Sequence, residues 1–218
     1  MKNLSRVLMI LFIVFSGYQI NAQTVGIKGG LNLSNMLEKD DDETFSDDYK
    51  MNPGFHIGLS VDIPFNKSLS LEPGLLLTTK GMKYEDDYLG VDISAKAILY
   101  YLELPLTIKA SQDLGGGSKI FGAVGPYVGL GLSGKVKATA EYQGQEETEE
   151  EKVKWGNDED KDDLKRLDMG LTFGAGVEIS SILIGISYDL GLSNNSPYQD
   201  NGATSKNRVL KFSIGYRF

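Results

Sequence analysis

Cysteine is absent from all 218 residues of the chain. Disulfides are therefore excluded, and so is an N-terminal lipid anchor carried on a cysteine. Long apolar runs are also missing, apart from one near the N-terminus. There Lys2 and Arg6 precede nine apolar residues, Val7 to Phe15, and a polar approach leads to Ala22. Nine residues fall well short of the roughly 20 that a helix needs to cross a bilayer. The layout is that of a secretory signal peptide cleaved after Ala22, so residues 1–22 are expected to be a leader and residues 23–218 one domain. Nothing downstream is long and apolar enough to span a membrane as a helix. Contact with a membrane then requires a barrel, lipidation or peripheral attachment.

Basic charge is scarce as well. Lysine and arginine number 22 against 30 acidic residues, a net charge of −8, and loss of Lys2 and Arg6 with the leader deepens the imbalance. Such a chain is a poor tracker of phosphate backbones, and no nucleic-acid partner is expected. Histidine occurs once, at position 56.

What the sequence does contain is alternation with a period of two, the signature of strands. It is cleanest over Arg208–Phe218, where Leu210, Phe212, Ile214, Tyr216 and Phe218 share one face and Val209, Lys211, Ser213, Gly215 and Arg217 the other. Seven further candidates are residues 24–36, 54–63, 68–83, 98–109, 120–135, 167–179 and 182–192. The connections at Pro64–Lys67, Asp113–Gly117 and Ser180–Ser181 are short or glycine-rich. Those at Leu37–Lys50, Tyr84–Lys96, Val136–Arg166 and Ser193–Lys206 are long and hydrophilic. Strict alternation of short and long connections, with an even strand number, is the pattern of bacterial outer-membrane barrels, whose tight turns face the periplasm. The expected fold is all-β, an eight-stranded antiparallel up-and-down transmembrane β-barrel.

The polar faces support this choice. Lys28, Asp62, Glu72, Glu103, Lys109, Lys135, Glu178, Asp189, Lys211 and Arg217 are predicted to point inward. Eight strands leave a lumen that side chains fill, so these charges must pair with one another. Inward glycines such as Gly30, Gly58 and Gly176 make room for them. A soluble lipocalin-like barrel wants the reverse, apolar residues inside; it would bury Glu103, Lys109 and Glu178 or expose eight apolar stripes to water.

Candidate chemistry is thin. A serine hydrolase acting on lipid needs a nucleophile, a histidine base and an orienting acid, and His56 is the single possible base, predicted to face the lumen as a packed interior residue. No Gly-x-Ser-x-Gly elbow occurs. Glu103 and Glu178 could form an acid pair but read as salt-bridge partners. The acidic segments Glu38–Glu43 with Asp47 and Asp48, and Asp158–Asp163, lack the glycine and closing glutamate of a calcium loop and read as a solvated, mobile face. Glu146–Glu151 reads as an extended loop tip. Trp155, in the same long loop, is either a binding contact or a residue packed on the barrel rim. No catalytic, cofactor-binding or metal residues are expected.

Four strings carry a family resemblance: Gly26-Ile-Lys-Gly-Gly-Leu-Asn-Leu-Ser-Asn35, Leu71-Glu-Pro-Gly-Leu75, Tyr101-Leu-Glu-Leu-Pro-Leu106 and Gly125-Pro-Tyr-Val-Gly129. With them the chain resembles the PorT-like outer-membrane β-barrel proteins of the Bacteroidetes over essentially the whole predicted mature length. The resemblance implies an outer-membrane location in a Gram-negative cell, with association of the founding member with protein secretion. It also implies that an aromatic at the end of the last strand, here Phe218, is read by the barrel-insertion machinery. The expected function is a non-enzymatic barrel with long acidic extracellular loops. Its expected partners are outer-membrane lipid, the insertion machinery and a protein at the loops or periplasmic turns. A lipid-modifying enzyme and a small-solute pore are the alternatives.

Overall fold

The computed structural model describes residues 23–41, 44, 46, 49–88, 91–142, 145–198 and 202–218. The expected leader, 1–22, lies outside them. The strands are β1 (Thr24–Lys39), β2 (Tyr49–Lys50), β3 (Asn52–Pro64), β4 (Leu69–Lys80), β5 (Lys83–Tyr88), β6 (Val91–Gly115), β7 (Ser118–Tyr142), β8 (Gln145–Lys152), β9 (Leu167–Ile179), β10 (Ile182–Gly191) and β11 (Thr204–Arg217). Eight of them close a ring in the order β6-β4-β3-β1-β11-β10-β9-β7, and the β6–β7 pairing completes it. All pairings between these strands are antiparallel. The seam joins the two ends of the chain, from Gly26 opposite Arg217 to Lys39 opposite Thr204. These eight correspond one to one with the eight expected strands.

The pleat sorts the side chains as the alternation predicts. Outward positions are apolar and bare, with Leu31 66% and Ile214 63% exposed, whereas inward Asn32, Glu103 and Asp189 are fully buried. On β6 the outward run Tyr100, Leu102, Leu104, Leu106, Ile108 and Ala110 carries no charge. Ten steps of about 3.4 Å, tilted by about 40°, give a height of roughly 26 Å, which matches the apolar band of such barrels. Aromatic pairs mark its two edges: Phe55 with Tyr100 at 6.4 Å between ring centroids, and Tyr216 with Phe218 at 5.2 Å. The soluble alternative is excluded by this inside-out distribution. At the tight-turn end, Gly115, Gly116 and Gly117 all adopt positive φ between β6 and β7, which a side chain would strain.

Two expectations require correction. Within the expected connections, residues 84–88, 91–96, 136–142 and 145–152 are strand: β6 and β7 each run 25 residues, where a membrane strand needs about 10, and β5 and β8 pair with their protruding halves. Together with the short β2 they form a sheet that projects beyond the barrel. Glu146–Glu151 is thus part of an edge strand. Second, Lys135 points outward. A bulge at Leu132 shifts the register, so that Tyr100 faces Ser133 while Tyr101 faces Gly131, and everything beyond on β7 changes face. Lys135 pairs with Glu150 at 3.0 Å on the outer surface.

Candidate functional site

The lumen holds two layers of ion pairs, each assembled from strands distant in sequence. Nearest the tight turns, Arg217 contacts Asp62 at 2.9 Å, Glu72 at 2.6 Å and Glu178 at 2.9 Å. Lys109 reaches the same three carboxylates, with Glu178 at 3.0 Å and Asp62 closest, and Lys28 adds Glu72 at 3.5 Å. Three cations and three anions share this layer, so no charge is left without an opposite neighbour.

The second layer lies toward the long-strand end. Lys80 contacts Glu103 at 2.7 Å and Asp168 at 2.8 Å, and Lys211 contacts Glu103 and Asp189, both at 2.5 Å. Here two cations meet three anions. The surplus is dispersed by neutral donors: Thr172 to Asp189 at 2.7 Å, and Tyr127, Ser193 and Asn195 each to Asp168 at 3.2 Å. Lys80 Nζ also lies 4.2 Å from the Tyr127 ring centroid, so its ammonium is held by an aromatic face as well. Nine of the ten lysines, arginines and acids expected in the lumen are there. Lys80 and Asp168, on the polar sides of β4 and β9, join them in the lumen; both lie at strand ends, where alternation alone does not mark the lumen. Glu103 and Glu178 fall in different layers and do not form an acid pair.

Between the layers sits His56, buried as expected. Asn32 donates through Nδ2 to Thr78 Oγ1 and to the carbonyls of Phe55 and Thr79 at 2.8–2.9 Å, which leaves its Oδ1 as the acceptor for His56 Nδ1 at 2.7 Å. On its other side His56 Nε2 shares a hydrogen bond with Ser213 Oγ at 2.9 Å. Serine, histidine and an orienting amide are arranged like a nucleophile and its base. The site is enclosed, however: the adjoining cavity measures about 60 Å³, far below the 300 Å³ or more of an organic-ligand pocket. It has room for water and not for an acyl chain, so the trio serves to satisfy buried polar groups.

The mouth at the long-strand end is covered. Met36, Leu99, Tyr101 and Val153 form a buried apolar cluster, flanked by Met82, Trp155 and Leu164. Trp155 meets Tyr101 edge to face at 5.6 Å, and its ring lies over Gly131, where no Cβ would fit. Backbone bonds stitch the cover down: Gly131 N–H to Arg166 O at 2.7 Å, Lys165 N–H to Asn195 O at 2.8 Å and Asn195 N–H to Ser205 O at 2.7 Å. The segment 153–166 is accordingly a lid, packed through Val153, Trp155 and Leu164 with Trp155 on the barrel rim, while Asp158–Asp163 stays mostly exposed. Asp158–Asp163 closes on itself, with Lys161 on Asp158 at 2.7 Å. The other acidic segment falls largely outside the described residues. Among the described residues no group of three or more potential ligands could hold a metal ion.

A family model for the outer membrane protein beta-barrel domain matches residues 19–196. No curated protein matches the chain. Among solved structures it is similar to OprG of Pseudomonas aeruginosa, with 14% identity, 90% of this chain and 96% of that one covered, and a TM-score of 0.47. It is also similar to Ail, the attachment invasion locus protein of Yersinia pestis, with 20% identity, 90% and 99% coverage and a TM-score of 0.40. Neisserial surface protein A shows 12% identity, 90% and 97% coverage and a TM-score of 0.41.

Proposed function

The chain belongs to the outer membrane protein beta-barrel domain family, and from that premise we propose that it is a non-enzymatic interaction barrel that presents its projecting sheet outside the cell to a protein partner. Its location is the outer membrane. The observation that carries the proposal is the projecting sheet itself. An anchor alone needs strands of about 10 residues, yet β6 and β7 continue for 25 and recruit β2, β5 and β8. The outermost strand, β8, bears Glu146, Glu147, Glu149, Glu150 and Glu151, is exposed throughout and leaves one backbone edge unpaired. Such an edge accepts an added strand, and its charge selects a basic one. The filled lumen and covered mouth argue against a solute pore, and the enclosed His56 argues against lipid hydrolysis.

Residues 1–22 act as the export leader in this proposal, and the four strings quoted above support kinship with the PorT-like barrels of the Bacteroidetes, with secretion as the context of the partner. Phe218 contacts the insertion machinery; its N–H pairs with Val25 O at 2.9 Å while its side chain stays exposed. The test uses the lack of native thiols. Thr148→Cys places one cross-linking site on β8. A defined adduct with a secreted or outer-membrane protein is expected in intact cells, and it should vanish when the five glutamates of β8 become glutamine. Absence of an adduct, or one indifferent to those charges, would overturn the proposal.

A further inference from the structure

One face of the projecting sheet gathers lysines in the rows nearest the barrel, with Asp87, Asp92, Glu141 and Glu146 on the same face only at its tip. Following the register outward across the strands, Lys50 of β2 stands opposite Lys83 of β5, Lys83 opposite Lys96 of β6, and Lys96 opposite Lys137 of β7. Two residues nearer the barrel, Lys135 stands opposite Lys152 of β8. Six lysines thus occupy one face in two neighbouring rows, in a chain whose net charge is −8. The opposite face carries Ala95, Ala138 and Glu149 in one row and Ile93, Ala140 and Glu147 in the next.

Directly opposed like charges in neighbouring strands destabilise a sheet. Four such lysine pairs occur here, and internal compensation is partial. Glu85 bridges Lys50 at 3.0 Å and Lys83, and Glu150 holds Lys135. Among the described residues Lys96, Lys137 and Lys152 enter no ion pair. The surface is arranged for an anion that comes from outside the chain.

Its position says which anion. The lysine face is continuous with the lipid-facing side of the barrel, because Lys96, Ile98, Tyr100 and Leu102 alternate on one face of β6. Tyr100 marks the upper edge of the apolar band. Two residues further, at the level of Lys135 and Lys152, the height gained is about 5 Å; four residues further, at the long row, it is about 10 Å. A headgroup layer begins at that edge and is roughly 5–8 Å deep. Lys135 and Lys152 stand within that layer, and the long row stands just beyond it, from where its flexible four-carbon stems reach back to the headgroups.

We propose that Lys50, Lys83, Lys96, Lys135, Lys137 and Lys152 form a docking surface for the phosphate groups of anionic lipid in the outer leaflet of the outer membrane. The surface flanks the barrel, faces the bilayer rather than the partner-binding edge, and fixes how deeply the projecting sheet sits. The leaflet assignment rests on the proposal that this sheet lies outside the cell.

The full barrel, refolded in detergent, is titrated with lipid A and with lipid A stripped of its phosphates, and bound lipid is read by native mass spectrometry. The phosphorylated form is expected to bind, and the triple variant Lys96→Gln/Lys137→Gln/Lys152→Gln to bind it on the order of a hundredfold more weakly, at roughly fivefold per lysine. The control variant Lys154→Gln/Lys161→Gln, whose lysines lie in the lid, should bind as the wild type does. Inorganic phosphate should compete weakly, since it lacks the acyl chains that the apolar band holds. Equal affinity for the two lipids, a triple variant within twofold of wild type, or full competition by free phosphate would each overturn the proposal. Orientation is read separately, by labelling Thr148→Cys on intact cells with an impermeant maleimide. Labelling supports the outer-leaflet assignment; protection in cells with labelling after lysis overturns that assignment, while the affinity series still reports the phosphate chemistry.

Discussion

Lys80→Met tests the logic of the buried charge layer. Lys80 is 0% exposed and holds Glu103 at 2.7 Å and Asp168 at 2.8 Å. Methionine keeps most of its length and removes only the ammonium, leaving Lys211 as the one cation for Glu103, Asp168 and Asp189. Removing one partner of a buried pair costs about 3–5 kcal/mol, because the remaining charge keeps its desolvation penalty without its counter-ion. Asp168 suffers most: it retains only the neutral donors Tyr127, Ser193 and Asn195. Adding Asp168→Asn removes the stranded charge and restores the layer's original excess of one anion. The double variant should therefore regain about half of the loss, roughly 1–3 kcal/mol. Urea unfolding of the refolded barrel in lipid vesicles supplies both numbers, with Trp155, the sole tryptophan, as the fluorescent reporter. Compact barrel in unboiled gel samples shows independently that the ring itself has closed. A single variant within about 1 kcal/mol of wild type, or a double variant no more stable than the single, would refute the claim that charge balance holds this layer.

Further expectations concern the ring, the lid and the projecting sheet. Unboiled samples should migrate apart from boiled ones in SDS gels, because the β1–β11 seam leaves no free edge in the ring; identical migration would contradict closure. Gly131→Ala should displace Trp155 from the Tyr101 ring and shift its emission to the red, with a stability loss of about 1–3 kcal/mol from overpacking. Unchanged emission would place Trp155 elsewhere. Glu85 accepts hydrogen bonds from Lys83 and Lys50, which hold its carboxyl below the usual carboxylate range. Because its folded value is depressed, the bridge is intact above the unfolded value and is lost only as pH falls through the lower, folded one. Carboxyl chemical shifts of Glu85 should accordingly titrate below the usual carboxylate range, and Lys83→Gln with Lys50→Gln should raise the midpoint; an unmoved midpoint would refute the bridge.

Much of the lumen was legible because it is written locally. Period two assigns a side to each residue of a strand without knowledge of its partners, so Glu103, Lys109, Glu178, Lys211 and Arg217 could be placed inside from the sequence. The projecting strands escaped notice for a related reason. Beyond the apolar band neither face has to be apolar, and β8 reads Gln145-Glu-Glu-Thr-Glu-Glu-Glu-Lys152 without an apolar face to alternate. Its pairing with β7 is a property of the hairpin and not of any hydrophobic pattern. The lid was hidden likewise, since Val153, Trp155 and Leu164 are scattered among charges and meet only when the segment folds back over the mouth.

The sequence by itself therefore determined the number of membrane strands, the side of the sheet that meets lipid and the order of tight turns. All three follow from spacing over about ten residues. Tertiary structure decided what depends on register between distant strands. Lys80 and Asp168 are 88 residues apart and become a pair only once the ring closes. One extra residue at Leu132 sends Lys135 from the expected lumen to the outer surface, where it joins lysines from β2, β5, β6, β7 and β8. A one-residue shift in a structure of period two inverts every face beyond it, and alternation on one strand gives no sign of where its neighbour makes that shift.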